Sequence, residues 1–175
     1  MRHPRRHRFA RWAAVPAALL LCTLASGIRA EVLDDLSGNW AEASSGPPTM
    51  EWAKADGGFT VSWTPPGTAA TTVHFEAAGR PGIYGGSAKQ GWSMMDSMFG
   101  DEAPVNPLAG GTLYWARVTE DSVYLYGLAI DDKGLFQVDR YDCRPDGTAL
   151  TVRLQRRTGD GAAEPVEQRL VRVGS

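Results

Sequence analysis

Beyond residue 30 the sequence carries a single cysteine, Cys143, and a single histidine, His74. One thiol closes no internal disulfide, so a chain shorn of its first 30 residues must rest on a packed core. Cys143 is read as a small buried apolar residue, the alternative being a thiol for an intermolecular bridge or a metal. One imidazole, with no Gly-x-Ser-x-Gly segment nearby, leaves no Ser or Cys triad to assemble. It does not supply a structural zinc set either, and no metal site or cofactor is expected. Gly-rich loops entering a helix are absent, which argues against a phosphate or dinucleotide site. Acidic residues are missing from the first 30, where six of the 18 basic residues lie (Arg2, Arg5, Arg6, Arg8, Arg11 and Arg29). All 20 acidic residues therefore meet only 12 basic ones over 31–175, a net charge of −8 there. Such an excess repels phosphate and excludes nucleic acid as a partner.

What the first 30 residues do contain is a basic stretch to Arg11, an apolar run from Trp12 to Ala25, then small residues and Arg29. This is the layout of a secretory signal peptide, cleaved after Ala30 or after Gly27. The run includes Pro16 and falls short of the roughly 20 residues of a spanning helix, so no stable membrane span is expected after cleavage. Leu21 before Cys22 is not the small residue that a lipoprotein site wants. The expected organisation is a signal peptide at 1–30 and one domain at 31–175, located in the periplasm or secreted.

Helical spacing of apolar residues is also missing after Glu31, whereas period-two alternation recurs. Phe59, Val61 and Trp63 alternate with Thr60, Ser62 and Thr64, and Val73 and Phe75 with Thr72, His74 and Glu76. From Thr112 to Val173 five alternating segments follow at short intervals, separated by 119–122, 131–134, 144–147 and 158–161, which hold turn-forming Asp, Gly and Pro. Further strands are read at 40–43, 50–55 and 83–88. The class is all-β: an antiparallel meander of eight to ten strands. So many strands escape exposed edges by closing into a barrel or splitting into two sheets, and the barrel is favoured.

The long interruption lies at 91–110, with a capping pattern of Ser93 and Asp96 that predicts a short helix or turn near 93–100. There Met95, Met98 and Phe99 share a face beside Trp92, a soft apolar surface suited to a lid over a barrel mouth or to folding back on the core. Met94, Met95 and Met98 also form a thioether cluster of the kind Cu(I) favours, but Met94 points away from Met95 on such a turn.

Leu36-Ser37-Gly38-Asn39-Trp40 opens the strand region with a Gly-x-Trp, followed by antiparallel strands to the end. This resembles the lipocalin and calycin group. The resemblance implies a calycin-like barrel whose first-strand Trp sits at the closed end under a cation from the last strand, for which Arg169 and Arg172 are candidates. A cation over an indole contributes about 0.5–2 kcal/mol. The alternative is that Trp40 is simply a core aromatic. Inward residues are expected to be Phe59, Val61, Trp63, Val73, Phe75, Phe136, Val138, Leu150, Val152 and Leu154. Of these Phe59, Val61, Trp63, Phe75 and Phe136, with Trp92, Met95, Met98 and Phe99, are the candidate ligand-binding set. Acid pairs at Asp101-Glu102, Asp131-Asp132 and Asp139 with Asp142 are better explained by turns and opposite strand faces than by glycoside chemistry.

The function expected is an exported, non-catalytic protein that binds an apolar or amphipathic small molecule. The alternative is a structural or protein-interaction module of the cell envelope, with a solid core and an outer face around Tyr124, Tyr126 and Leu128 docking on an envelope protein or a second copy. On cell fractionation the full chain is expected in the periplasm or medium, and a form lacking residues 1–30 in the cytosol. Retention of the full-length chain in membranes contradicts cleavage.

Overall fold

A computed structural model describes residues 31–43, 47–64, 70–88 and 107–174. The leader, and the turn expected near 93–100 with Trp92, Met94, Met95, Met98 and Phe99, lie outside them, as does Asp101-Glu102. A helix, α1, occupies residues 31–36. The strands are β1 (Gly38–Ala41), β2 (Met50–Ala55), β3 (Gly58–Trp63), β4 (Thr71–Ala77), β5 (Ile83–Ala88), β6 (Leu113–Val118), β7 (Val123–Ile130), β8 (Phe136–Asp146), β9 (Ala149–Thr158), β10 (Gly161–Ala162) and β11 (Val166–Val173). One 3-10 turn covers Pro107–Ala109.

From β1 to β9 each strand pairs antiparallel with the next, and β11 pairs with both β9 and β1. Ten strands thus form a closed ring, and the two-residue β10 only extends the end of β9. Among the described residues, closure leaves no long strand edge to water. The all-β meander and barrel read from the sequence are the observed fold.

Alternation along each strand decides what faces in. Phe59, Val61 and Trp63 of β3 meet Phe75, Val73 and Thr71 of β4 in register, and the apolar members are at most 5% exposed. The Phe59 ring stacks 5.7 Å from Trp52 and 5.0 Å from Phe75, and takes the Tyr84 edge at 5.1 Å. Such contacts contribute about 0.5–1.5 kcal/mol each beyond burial. Half of the barrel is therefore filled with aromatic rings. Gly86 permits this: a Cβ there would come within 2.7 Å of Tyr114 and 2.9 Å of Phe75 and Val73.

At this filled end α1 lies across the ring and buries Val32 and Leu36. Trp40, fully buried, donates from Nε1 to the Leu36 carbonyl at 2.7 Å. Arg172, opposite Trp40 in the β1–β11 register, lays its guanidinium 4.6 Å from the indole centroid. The same group donates to the Ser37 and Asp35 carbonyls, both at 2.5 Å. It thereby binds the freed carbonyls at the end of α1, where the helix dipole favours a cation. Of the two candidates, Arg172 covers Trp40, while Arg169 reaches toward Asp146 at 3.9 Å. Lys54 of β2 pairs with Asp34 of α1. Gly38 has φ +125°, and a Cβ on it would stand 3.1 Å from Arg172 Nη1. Glycine serves both the backbone angle and the space for the cation.

Two details correct the sequence reading. Residues 144–147 do not make a turn: β8 runs on to Asp146, Pro145 faces Leu150, and the chain reverses at Gly147-Thr148. Phe136 and Val138 do not face in. They alternate with Tyr141 and Cys143, which point to the core, and Phe136 is 47% exposed. The inward row of β8 is instead Gln137, Asp139, Tyr141 and Cys143, so its greasier end is on the outside.

Arg172→Ala is expected to lower stability in urea unfolding by roughly 1–2 kcal/mol, with Arg172→Lys recovering only part, since an ammonium cannot fork between two carbonyls. Gly38→Ala should cost a comparable amount through its positive φ.

Candidate functional site

The end opposite α1 is where β1, β3, β5, β7 and β9 finish and β2, β4, β6, β8 and β11 begin. There the inward side chains no longer meet. A cavity of about 320 Å³ is walled by Met50, Trp63, Val152, Leu154 and Leu170, with Tyr141 among them and Glu42, Thr49, Thr64, Val166 and Gln168 completing the lining. The volume is at the lower end of that of small-molecule pockets, and apolar walls with a few polar groups are their usual make-up. Gln168 Nε2 donates to Glu42 Oε1 at 3.2 Å, tying β11 to the chain just beyond β1.

Trp63 marks the boundary between the filled and hollow halves. Its ring meets Tyr114 edge-on at 5.9 Å and Tyr141 at 5.7 Å. Although Trp63 is only 5% exposed, its Nε1 has no hydrogen-bond partner among the described residues. The Tyr141 hydroxyl is close enough to feel that N–H, yet the two do not meet hydrogen-bond geometry. Burial pushes the Tyr141 pKa up to about 12, the Trp63 N–H opposing and the Asp139 charge adding to the shift. Tyr141 is therefore a neutral hydroxyl at physiological pH. Burial also raises the Tyr114 pKa, against hydrogen bonds from Thr112 and Thr71.

One step further out on β8 and β9 comes an inward ion pair. Arg156 Nε and Nη2 donate to the two oxygens of Asp139 at 2.7 and 2.8 Å, and Gln137 Nε2 donates to Asp139 Oδ2 at 3.1 Å. A forked pair of this kind saturates both partners. Asp142, by contrast, lies outside, opposite Tyr124. The opposite faces read for these two acids hold.

The candidate ligand-binding residues fall into four groups. Trp63 lines the cavity. Phe59, Val61 and Phe75 lie in the filled half, at most 1% exposed. Phe136 stands on the outer wall, and Trp92, Met95, Met98 and Phe99 are outside the described residues. Sequence reasoning missed Met50, Tyr141, Leu170 and the Asp139–Arg156 pair. On β8 the signal was the alternation of Tyr141 and Cys143 with the charged Arg140 and Asp142, masked by Phe136 and Val138 earlier on that same outer row.

Chemistry elsewhere is sparse. His74 lies on the outer wall, with Nδ1 3.0 Å from Thr60 Oγ1 and Nε2 3.4 Å from Glu76. Asp131 accepts from the Lys133 and Leu135 amides and so orders its own turn. Among the described residues no three His, Cys, Asp or Glu side chains gather as a metal site. The outer wall over β6–β8 carries Trp115 stacked on Tyr126 at 4.9 Å, and Arg140 over Tyr124 at 4.6 Å.

A closed antiparallel barrel of ten strands, capped at one end and hollow at the other, is compatible with a calycin-like fold. Comparison with protein-family models, curated proteins and solved structures finds no match to this chain.

Cys143 is fully buried, and burial followed by the Asp142 charge raises its thiol pKa. It is expected to resist alkylation in the native protein and to react once unfolded; rapid native labelling contradicts the burial. Tyr141 and Cys143 both hold their protons more tightly folded than unfolded. Their contribution is complete below about pH 9 and is lost as pH rises through 10 toward 12. The midpoint of thermal unfolding should fall over that range. Tyr141→Phe should remove its share, on the order of 2 kcal/mol.

Proposed function

We propose that this protein is a non-catalytic, lipocalin-like binder of an apolar or amphipathic small molecule, held in the hollow mouth of the barrel. The observation that carries the reading is the cavity of about 320 Å³, with Met50, Trp63, Val152, Leu154 and Leu170 as its walls. A small barrel built only for stability has its interior filled by side chains. Here filling stops at Trp63. The Trp40–Arg172 cap supports the lipocalin-like part of the reading, since it matches what the Gly-x-Trp resemblance implies. Export to the periplasm or medium, as read from the leader, would place the binder where it meets exogenous or envelope-derived molecules.

Titration with the uncharged dye N-phenylnaphthylamine is expected to give saturable one-to-one fluorescence enhancement. Leu154→Trp, which puts an indole into the cavity, should abolish it without changing the far-UV circular dichroism. Non-saturable enhancement, or binding untouched by Leu154→Trp, overturns the proposal. A dimer in native mass spectrometry with no dye binding would favour the interaction module instead.

A further inference from the structure

The cavity's polar groups say more about the ligand than its size does. Among the described residues no Lys, Arg or His lines it, and its one ionisable carboxylate is Glu42. Arg156, the inward cation beyond Leu154 on the same face of β9, is already held by both oxygens of Asp139. A carboxylate or phosphate entering here would lose its water without gaining a free cation, and would face Glu42.

An ammonium gains Glu42 as a counter-charge, but that carboxylate is exposed and already accepts from Gln168 Nε2, and the inner end of the cavity is left unserved. Trp63 Nε1 is a donor with no acceptor capacity, and leaving it unpaired in a buried place costs about 1–3 kcal/mol. An ammonium also only donates, so it cannot satisfy that N–H. The Tyr141 hydroxyl is neutral and lies beside it, near enough for the Trp63 N–H to oppose the rise in its pKa. The Tyr141 oxygen is not placed to accept from Trp63 Nε1, so the Trp63 N–H and the Tyr141 O–H can both donate to one incoming oxygen.

We infer that the cavity takes an uncharged amphipathic ligand, an ester, ketone or amide with a short hydrocarbon chain, whose acceptor oxygen is held by Trp63 Nε1 and Tyr141 Oη. The inference rests on the carrier reading above. It narrows that reading by excluding fatty acids and alkylamines.

Calorimetric titration of the purified protein at pH 7.5 with methyl octanoate, octanoate and octylammonium tests it. Methyl octanoate is expected to bind with one-to-one saturation, and each charged analogue at least about tenfold more weakly. Trp63→Phe should weaken methyl octanoate about tenfold and narrow the gap to octanoate. Tyr141→Phe, which keeps the ring and the fold, should weaken it a few-fold. Octanoate or octylammonium binding as tightly as the ester overturns this inference and leaves the carrier reading standing. Binding of the ester unaffected by both substitutions also overturns it. If none of the three binds saturably, the carrier reading falls and takes the inference with it.

Discussion

A ring of ten strands is only as secure as its seam, and here the seam is the pairing of β1 with β11. β1 is four residues long and contributes three register pairs to that seam. Backbone hydrogen bonds over so short a strand would not hold the ring against fraying. Trp40 and Arg172 reinforce it from opposite sides of the seam: the indole is buried in the core, and the guanidinium covers it while gripping two carbonyls at the end of α1. One arginine therefore joins the last strand, the first strand and the cap. Were the seam to open, β1 and β11 would become edges, and the aromatic interior would lose its cover.

The interior changes character along the barrel axis. Against α1 the inward residues are large and touch one another: Trp40, Trp52, Phe59 and Phe75, with Gly86 yielding space where Tyr114 and Val73 crowd in. Toward the other end the facing pairs on β8 and β9 run from Cys143 with Val152, through Tyr141 with Leu154, to Asp139 with Arg156. Apolar contact gives way to a mixed pair and then to an ion pair. Buried charges are tolerated when they are mutually satisfied and near water, and the forked Asp139–Arg156 geometry at the mouth meets both conditions. The hollow lies between these regimes.

Much of this was legible in particular residues. The alternation of Phe59, Val61 and Trp63 against Thr60 and Ser62 carried β3 and its inward face, and Gly38-x-Trp40 pointed to a capped end under Arg169 or Arg172. Short polar links fixed antiparallel neighbours for the second half of the chain. Other features were hidden for physical reasons. α1 spans six residues, too few for helical periodicity to show, and becomes stable only by burying Val32 and Leu36. Phe136 and Val138 misled because hydrophobicity assigns a face only when the other face is polar. On β8 the outer row sets Phe136 and Val138 beside the equally apolar Ile130 and Leu128 of β7, while the inner row turns polar at the mouth. The Arg144-Pro145-Asp146-Gly147 run looked like a turn because proline usually ends a strand, but Pro145 sits near the end of the β8–β9 hairpin, where the ladder runs out.

The sequence by itself determined the all-β class, the antiparallel order and the acidity of the chain beyond residue 30, because these follow from local periodicity, turn chemistry and counting. Tertiary structure alone decided which arginine covers Trp40, which face of β8 looks inward, and where packing stops and a cavity begins. Those outcomes depend on register between strands far apart in the chain and on side-chain volumes summed around a closed ring. No local window of residues contains either quantity.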